Sequence, residues 1–320
     1  MARRIGILTS GGDAPGMNAV VRAVARAGLQ RGMEVCGIRR GYVGLLNGDV
    51  FEMDERTVSG IIQRGGTFLY TARCPEFRDM EGVKKGFEMC KKLGLEGLVV
   101  VGGDGSFRGA GDLSSLGIPC IGIPGTIDND IQCTEYTIGY DTAMNTAMEM
   151  IDKILDTTQS HDRCSVIEVM GRKAGYIAVN VGIAVGAEAV ITLEEPYDLN
   201  QIADKMMKAK KHGKSHFLIV VAEGVGQSDV IARTIQEMTG MESRVTILGH
   251  VQRGGSPTVR DRVLATEMGY HAVELLDQGI GNRIVGLKDG KVYDIDLQEG
   301  LAMKKHFLHE RFEILNKTAF

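Results

Sequence analysis

Short apolar runs alternate with amphipathic segments along the whole chain, and this alternation restricts the fold more than any other feature. Many runs are rich in valine and isoleucine and carry apolar residues on both faces, which is typical of parallel strands buried on both sides. The runs are Ile5–Leu8, Val35–Ile38, Leu98–Val101, Cys120–Ile123, Val166–Val169, Val190–Leu193, Leu218–Val221 and Val245–Leu248. Their alternation with helical segments predicts an α/β fold with parallel sheets and right-handed crossovers.

Three of the intervening segments have a helical pattern. They are Met17–Leu29, Gly82–Leu93 and Asp141–Leu155. Gly94 follows the second segment and is predicted to end that helix in a left-handed conformation. The third segment carries Met144, Met148, Ile151 and Leu155 at helical spacing. We interpret this stripe as part of the core rather than as a binding surface.

The overall composition excludes several classes of protein. The 320 residues suffice for about two domains. A net charge of −4 argues against a general nucleic-acid binder, and no apolar run approaches the 18 residues of a membrane span. The apolar start is too short for a signal peptide, so we expect a cytoplasmic protein. Its six cysteines are then small buried thiols, with zinc binding or disulfides as the alternative.

Three loops that follow apolar runs are rich in glycine or aspartate. They are Thr9–Asn18, Gly102–Gly109 and Pro124–Asp130. Glycines at a strand end let backbone N–H groups approach a phosphate, and carboxylates there can bind Mg²⁺ or accept a proton. In the third loop, Asp128 and Asp130 are predicted on one side of an extended segment. The loops together indicate phosphoryl transfer, although each alone also fits a structural turn.

Two common nucleotide motifs are incomplete in this sequence. The pattern G-x-G-x-x-G that starts at Gly103 fails because Arg108 occupies the last glycine position. The segment Gly213–Ser215 lacks the upstream glycine of a Walker A motif, since position 208 is lysine. Both a standard nicotinamide site and a P-loop ATPase are therefore disfavoured.

Basic residues near predicted strand ends suggest a second anionic group on the substrate. Single arginines usually lie on solvated faces, but arginine is also the side chain that binds phosphate through two parallel hydrogen bonds. Glu223 ends another run and could accept hydrogen bonds from sugar hydroxyls. The basic candidates are Arg163, Arg172, Arg244, His250 and Arg253.

With these motifs in this order, the sequence closely resembles the bacterial-type ATP-dependent 6-phosphofructokinases. The resemblance runs from Arg4 to about Gly281. Its strings are Thr9–Asn18, Gly102–Ser106, Pro124–Asp130, Val169–Arg172 and Leu248–Pro257. It implies two Rossmann-like three-layer domains with mainly parallel sheets and the active site in the cleft between them. The nucleotide-binding domain would comprise residues 1–139 and 252–302, and the sugar-phosphate-binding domain residues 140–251 and 303–320.

The resemblance implies a glycolytic kinase that transfers the γ-phosphoryl group of ATP to the 1-hydroxyl of D-fructose 6-phosphate, with Mg²⁺ as cofactor. Asp128 would take the proton from that hydroxyl, and Arg172 and Thr126 would neutralise the transferring group. Asp104 would hold Mg²⁺, supported by Asp130. The implied ATP ligands are Gly12, Tyr42, Arg73, Cys74, Gly103, Asp104, Gly105 and Ser106. The implied sugar-phosphate ligands are Thr126, Asp128, Arg163, Met170, Gly171, Arg172, Glu223, Arg244, His250 and Arg253.

The resemblance also implies a homotetramer, because Arg163 and Arg244 would reach the 6-phosphate of a substrate bound to a neighbouring subunit. The remaining alternative is a pyrophosphate-dependent phosphofructokinase, in which Asp and Lys typically replace the residues equivalent to Gly105 and Gly125. A regulatory protein without catalysis is disfavoured because Asp128 and Arg172 are both present.

An effector pocket for ADP or phosphoenolpyruvate is a further implication of the resemblance. Its matching residues are Arg22, Arg26, Gly186, Glu188, Lys214 and His216. Positions that are usually basic in the pattern carry Leu155, His212, Ser215 and Glu55, with Arg56 next to the last. Since each lost arginine–phosphate contact weakens binding, we predict a pocket that binds its effector weakly.

Overall fold

The computed structural model describes residues 3–319, and the chain forms two compact units. The first unit comprises the residues up to Thr142 together with Arg253–Lys305. The second comprises Ala143–Gln252 and the residues from His306 onward. The chain therefore passes from one unit to the other three times. That the first binds a nucleotide and the second a sugar phosphate stays a prediction.

Strands and helices alternate along the described residues. The strands are β1 (Arg4–Thr9), β2 (Glu34–Ile38), β3 (Val50–Met53), β4 (Gly97–Gly102), β5 (Cys120–Pro124), β6 (Cys164–Val169), β7 (Ala189–Ile191), β8 (Phe217–Ala222), β9 (Ser243–Ile247), β10 (Arg283–Lys288) and β11 (Lys291–Asp296). The helices are α1 (Met17–Gln30), α2 (Gly41–Asn47), α3 (Met80–Lys92), α4 (Asp104–Ser115), α5 (Tyr140–Ser160), α6 (Tyr176–Ala184), α7 (Leu199–Lys211), α8 (Ser228–Thr239), α9 (Val259–Asp277), α10 (Leu297–Ala302) and α11 (His309–Thr318). Short 3₁₀ turns cover Pro75–Arg78, Glu223–Val225 and Gly249–Arg253.

The first unit contains a seven-stranded sheet in the order β11-β10-β5-β4-β1-β2-β3. Its five inner strands run parallel, and the two edge strands pair antiparallel with their neighbours. The whole of β4 is buried, which explains why its sequence is apolar on both faces. The α/β class with mainly parallel sheets is confirmed.

The second unit contains a four-stranded sheet in the order β7-β8-β6-β9, in which all pairs are parallel. Its core is formed by side chains such as Val166 on β6 and Phe217, Ile219 and Val221 on β8. Burying such a side chain contributes roughly 1.5–3 kcal/mol. The alternating valines and isoleucines of these strands therefore stabilise the sheet of the second unit.

Most predicted elements agree with the structure within a few residues. All eight apolar runs coincide with strands, although the run from Val190 leaves its strand after Ile191 and the run from Val245 leaves its strand after Ile247. Gly94 has a φ of +67°, as predicted for a residue that ends a helix. The methionine stripe is only partly core, because Ile151 is buried while Met144, Met148 and Leu155 are half-buried.

The predicted burial of the thiols holds for five cysteines, and Cys74 is half-buried. Burial raises the pKa of the Cys133 thiol to about 11 and that of Cys90 to about 12, so both stay protonated at neutral pH. Within residues 3–319, no helix combines the length with the apolar character needed to cross a bilayer.

Candidate active site

Three predicted loops meet at one edge of the first sheet. Because β5, β4 and β1 are adjacent and parallel, their carboxyl ends lie side by side. The backbone N–H of Gly125 donates to the carbonyl of Gly102 at 3.0 Å, which joins the loops after β5 and β4. A Cβ atom on Gly11 would lie 3.7 Å from Oγ of Ser106, so the loop after β1 lies beside them. The fold thus gathers the glycines and carboxylates that the sequence spreads over 120 residues.

The loop after β4 is shaped to meet an anion with its backbone. Helix α4 begins at Asp104 without a side-chain cap, and the N–H groups of Ser106 and Phe107 donate to the carbonyl of Gly103, so those of Asp104 and Gly105 remain available to an anion. A Cβ on Gly102 would lie 2.5 Å from the carbonyl of Ser10, and therefore only glycine fits there. A Cβ on Gly105 would meet no described atom within 4 Å. Gly103 is similarly open, with one methyl of Ile131 at 4.0 Å.

Tyr42 stabilises this loop through a hydrogen bond. Its side chain is 4% exposed and stacks on Phe77 with the ring centroids 4.0 Å apart. Its hydroxyl donates to the carbonyl of Ser106 at 2.6 Å, and burial raises the pKa of the phenol well above its ordinary value. Tyr42 therefore fixes the start of α4, and a direct contact with ATP stays a prediction.

The segment that carries Arg73 and Cys74 runs past the loop after β1. The hydroxyl of Thr71 donates to the carbonyl of Gly11 at 2.7 Å, and Tyr70 is held at a φ of +56°, which is unusual for a bulky residue. Arg73 is exposed, and burial raises the pKa of the half-buried Cys74 thiol. This segment supplies an exposed guanidinium near the glycine loop.

Arg253 belongs to the first unit and lies beside Gly12. A Cβ on Gly12 would lie 3.5 Å from Nη1 of Arg253. The resemblance assigns this arginine to the sugar phosphate, whereas within the first unit it brings positive charge to the glycine loop after β1. Arg253 can therefore offset charge on any phosphate that approaches Gly12.

The loop after β5 is a turn, so the predicted extended segment is wrong. Asn129 has a φ of +52°, and this left-handed residue interrupts the two-residue alternation on which the prediction relied. The backbone N–H of Asp128 donates to Oγ1 of Thr126 at 3.2 Å. Asp128 and Asp130 are both half-buried. The two carboxylates remain on one loop, but the turn rather than a strand sets their directions.

In the second unit, Met170, Gly171 and Arg172 directly follow β6, and Glu223 follows the neighbouring β8. The backbone N–H of Arg172 donates to Oε1 of Glu223 at 2.5 Å. Arg172 has a φ of +59° and Gly171 a φ of +143°. A Cβ on Gly171 would lie 2.4 Å from the carbonyl of Ala174, so the turn requires glycine. This turn leaves the Arg172 side chain exposed at the carboxyl edge of the sheet.

Gln252 joins the turn after β6 to the 3₁₀ turn that carries His250. Its side chain is fully buried. Oε1 accepts a hydrogen bond from the N–H of Met170 at 3.2 Å, and Nε2 donates to the carbonyl of Gly249 at 3.0 Å. Gln252 was not predicted as a site residue, because the amino-acid sequence alone does not show that a glutamine is buried between two turns.

Arg163 and Arg244 lie together, but at the opposite edge of the second sheet. Arg163 precedes β6, and Arg244 is the second residue of the parallel strand β9. Their Nε atoms donate to the two carboxylate oxygens of Glu242 at 2.7 and 2.8 Å. Hydrogen bonds from Arg244 and then Arg163 lower the pKa of the Glu242 carboxyl. Within one chain these arginines do not join Arg172, Glu223 and His250.

Two of the predicted effector ligands are paired with each other. Glu188 is 5% exposed, accepts a hydrogen bond from the N–H of Leu218 at 2.5 Å and forms an ion pair with Lys214. Gly186 has a φ of +64° and His216 is half-buried. On α1, Arg22 is half-buried and Arg26 exposed. The structure therefore gives Glu188 a structural partner, and effector binding stays a prediction.

The donor set of the first unit fits a magnesium ion carried by a nucleotide. No group of three or more acidic, histidine or cysteine side chains among the described residues could hold a metal ion by itself. Mg²⁺ in kinases is instead bound by one or two carboxylates together with substrate phosphates and water. Asp104 has a carboxylate that is 43% exposed and paired only weakly with Arg108, at 3.3 Å, four residues on.

Comparisons with known proteins identify the family of the chain. The phosphofructokinase family model matches residues 4–276. The chain is 54% identical over 312 residues to an ATP-dependent 6-phosphofructokinase from Clostridium botulinum, covering 98% of both chains. It is 53% identical over 318 residues to the enzyme of that name from Clostridium tetani, covering 99% of this chain and 100% of the relative. The structure of phosphofructokinase from Saccharomyces cerevisiae superposes with a TM-score of 0.90 at 34% identity, covering 99% of this chain. The present chain spans about half the yeast chain, 48% of its length.

Proposed function

The chain belongs to the phosphofructokinase family, and on that premise we propose how its residues carry out the reaction of the ATP-dependent members. The reaction transfers the γ-phosphoryl group of ATP to the 1-hydroxyl of fructose 6-phosphate and yields fructose 1,6-bisphosphate and ADP. Relatives that share 54% of their residues with this chain bear the ATP-dependent name, which favours ATP over pyrophosphate. The meeting of the loops after β1, β4 and β5 carries the assignment of residues.

The nucleotide phosphates bind to backbone N–H groups of the loops after β1 and β4. Gly12, Gly103 and Gly105 supply these groups, Ser106 lies in the first turn of α4, and the N-terminus of α4 adds its partial positive charge. Gly105 leaves open space where a side chain would meet the nucleotide. Arg73 and Cys74 line the same site. Tyr42 acts through Ser106, whose carbonyl it holds.

Asp104 would hold Mg²⁺, with Asp130 supporting the shell of the ion. When bound, the ion offsets the negative charge of the nucleotide phosphates.

Asp128 acts as the general base. An alcohol attacks the γ-phosphoryl group, so a carboxylate that accepts its proton is sufficient and no covalent enzyme intermediate is needed. Thr126 lies two residues before the base and, with Arg172, offsets charge on the transferring group. Met170, Gly171, Glu223, His250 and Arg253 bind the sugar phosphate.

The positions of Arg163 and Arg244 support a homotetramer with shared sites. These arginines lie at the amino ends of β6 and β9, while Arg172 follows the carboxyl end of β6. A six-residue strand spans about 20 Å, so the two arginines and Arg172 lie at opposite edges of the sheet. Arg163 and Arg244 therefore serve a substrate held by a neighbouring copy.

We also propose a weak effector site and a cytoplasmic location. ADP or phosphoenolpyruvate binds weakly at a pocket that includes Arg22, Arg26, Gly186, Lys214 and His216, and Glu188 contributes through its pairing with Lys214. The enzyme acts in the cytoplasm.

A coupled assay tests this function directly. The purified chain is supplied with fructose 6-phosphate, Mg²⁺ and either ATP or pyrophosphate, and fructose 1,6-bisphosphate is measured. We expect product with ATP and little with pyrophosphate. Comparable rates with pyrophosphate would overturn the choice of ATP, and absence of product with both would overturn the kinase assignment.

A further inference from the structure

Lys305 contacts the loop that carries the proposed base, although it lies 176 residues away in the sequence. It follows α10 at the end of the first unit. Its Nζ donates to the carbonyl of Asn129 at 2.7 Å. Its backbone N–H donates to Oε1 of Gln132 at 2.5 Å, and Nε2 of Gln132 donates to the carbonyl of Asp130 at 3.0 Å. Lys305 thus holds this loop both directly and through Gln132.

The conformation of Asn129 shows why this loop requires a stabilising contact. Asn129 lies between two aspartates and has the left-handed conformation. This conformation costs free energy and persists only where surrounding contacts stabilise it. Asn129 is 4% exposed, and its Oδ1 is one of the few buried side-chain oxygens in the described chain that lack a hydrogen-bond partner. The turn is therefore held largely by contacts to its backbone and by Nδ2, which donates to the carbonyl of Glu135 at 3.2 Å.

The charge of Lys305 also suits this place. Two carboxylates two residues apart repel each other, and a nearby ammonium group offsets that repulsion. Burial lowers the pKa of Lys305 to about 8, and the attraction of Asp130 opposes this effect. The ammonium form therefore still predominates at neutral pH.

We propose that Lys305 is a positioning residue for phosphoryl transfer: its ammonium group holds the Asn129 carbonyl and so keeps Asp128 in the place where it accepts the proton. The inference rests on the proposed role of Asp128 as the base. Lys305 acts only through the loop and makes no contact with substrate in this scheme. Its loss should lower kcat more than it raises either KM.

The first test compares Lys305→Met with Lys304→Met. Methionine keeps most of the length of lysine without its charge, and Lys304 is the exposed neighbour that serves as the control. We expect kcat of Lys305→Met to fall on the order of 10- to 100-fold, since small displacements of a catalytic group have effects of this size. The KM values and the kcat of Lys304→Met should change little. An unchanged kcat in Lys305→Met would overturn the proposal.

A double variant separates positioning from general structural damage. If Lys305 acts through Asp128, adding Lys305→Met to Asp128→Asn should lower kcat no further than Asp128→Asn does alone. A further loss as large as in the wild-type background would overturn the proposal. Near-normal kcat in Asp128→Asn itself would overturn the proposed base, a result distinct from the failure of Lys305.

Lys305→Gln is the second variant in case Lys305→Met does not fold. Glutamine retains a donor but lacks the charge, so a kcat loss combined with the same non-additivity supports the proposal. Full activity of Lys305→Gln would overturn the requirement for the ammonium group.

Discussion

Replacing Gln252 with leucine should weaken the second unit and its sugar-phosphate site together. The glutamine is fully buried, and its amide bridges the N–H of Met170 and the carbonyl of Gly249. Leucine has a similar size but removes both hydrogen bonds. A buried polar group that loses its partner costs about 1–3 kcal/mol. We therefore expect the free energy of unfolding to fall by about 2–5 kcal/mol, since losses at linked groups do not add fully.

The effect on catalysis follows from what the amide joins. Met170 leads into the turn of Arg172, and Gly249 begins the turn of His250. Loosening both should raise KM for fructose 6-phosphate at least several-fold, while KM for ATP changes less. Gln252→Glu is the companion variant: it keeps an acceptor for the N–H of Met170 but places a carboxylate oxygen against the carbonyl of Gly249 in a fully buried site. Its unfolding midpoint should therefore fall at least as far as that of Gln252→Leu.

Urea denaturation and steady-state kinetics measure the two effects. An unfolding midpoint of Gln252→Leu equal to that of wild type would refute the energetic reasoning. If Gln252→Leu has the wild-type midpoint and only Gln252→Glu has a lower one, the loss of stability comes from the new charge and not from the missing hydrogen bonds. Equal increases in both KM values would show that the amide supports the enzyme in general and not the sugar-phosphate side.

Four further variants test the proposed roles. Asp128→Asn should keep the fold and lower kcat on the order of 10²–10⁴-fold, since the amide cannot accept the proton; a near-normal kcat would exclude the base role. Gly105→Asp should raise KM for ATP without loss of stability, because its Cβ enters open space, whereas Gly125→Lys should reduce thermal stability, because its Cβ would lie 2.9 Å from Val101; unchanged ATP kinetics in the first would show that Gly105 does not face the nucleotide. Arg163→Ala should raise KM for fructose 6-phosphate, and mixing it with Asp128→Asn should restore some activity in hybrid oligomers; confirmed hybrids without activity would count against shared sites.

Central strands were predictable from the sequence because burial on both faces leaves an apolar run. The three missed strands lie where this signal fails. Strand β3 is an edge strand that is only partly buried, and β10 and β11 form a hairpin at the other side of the sheet. The turn of this hairpin does carry a local sequence signal, the pair Asp289 and Gly290. Their φ values are +51° and +71°. Aspartate followed by glycine is a common hairpin turn.

Residues proposed to carry the chemistry were easier to predict than residues proposed to position them. Asp104 and Asp128 follow predicted strands directly, so motif and topology both point to them. Gln252 and Lys305 act on backbone groups of loops that are distant in sequence, 82 and 176 residues away. Any amide or amine of suitable length could make such contacts, and only the folded chain shows which one does. The prediction of an extended segment from Asp128 to Asp130 was wrong for a similar reason, since asparagine adopts either an extended or a left-handed backbone.

The pair formed by Glu188 and Lys214 bears on the proposed effector pocket. Sequence reasoning treats both residues as ligands of an anion, but the structure shows the carboxylate buried against the N–H of Leu218 and the lysine neutralised by it. Moving Lys214 away would leave the buried Glu188 carboxylate without its cation, which is unfavourable. An anionic effector must therefore bind Lys214 while Glu188 stays in place, and it meets a smaller net positive charge than the lysine alone would offer. The structure thus adds a second reason to expect weak effector binding: besides the uncharged or acidic residues at positions where the pattern is usually basic, Lys214 is paired within the fold.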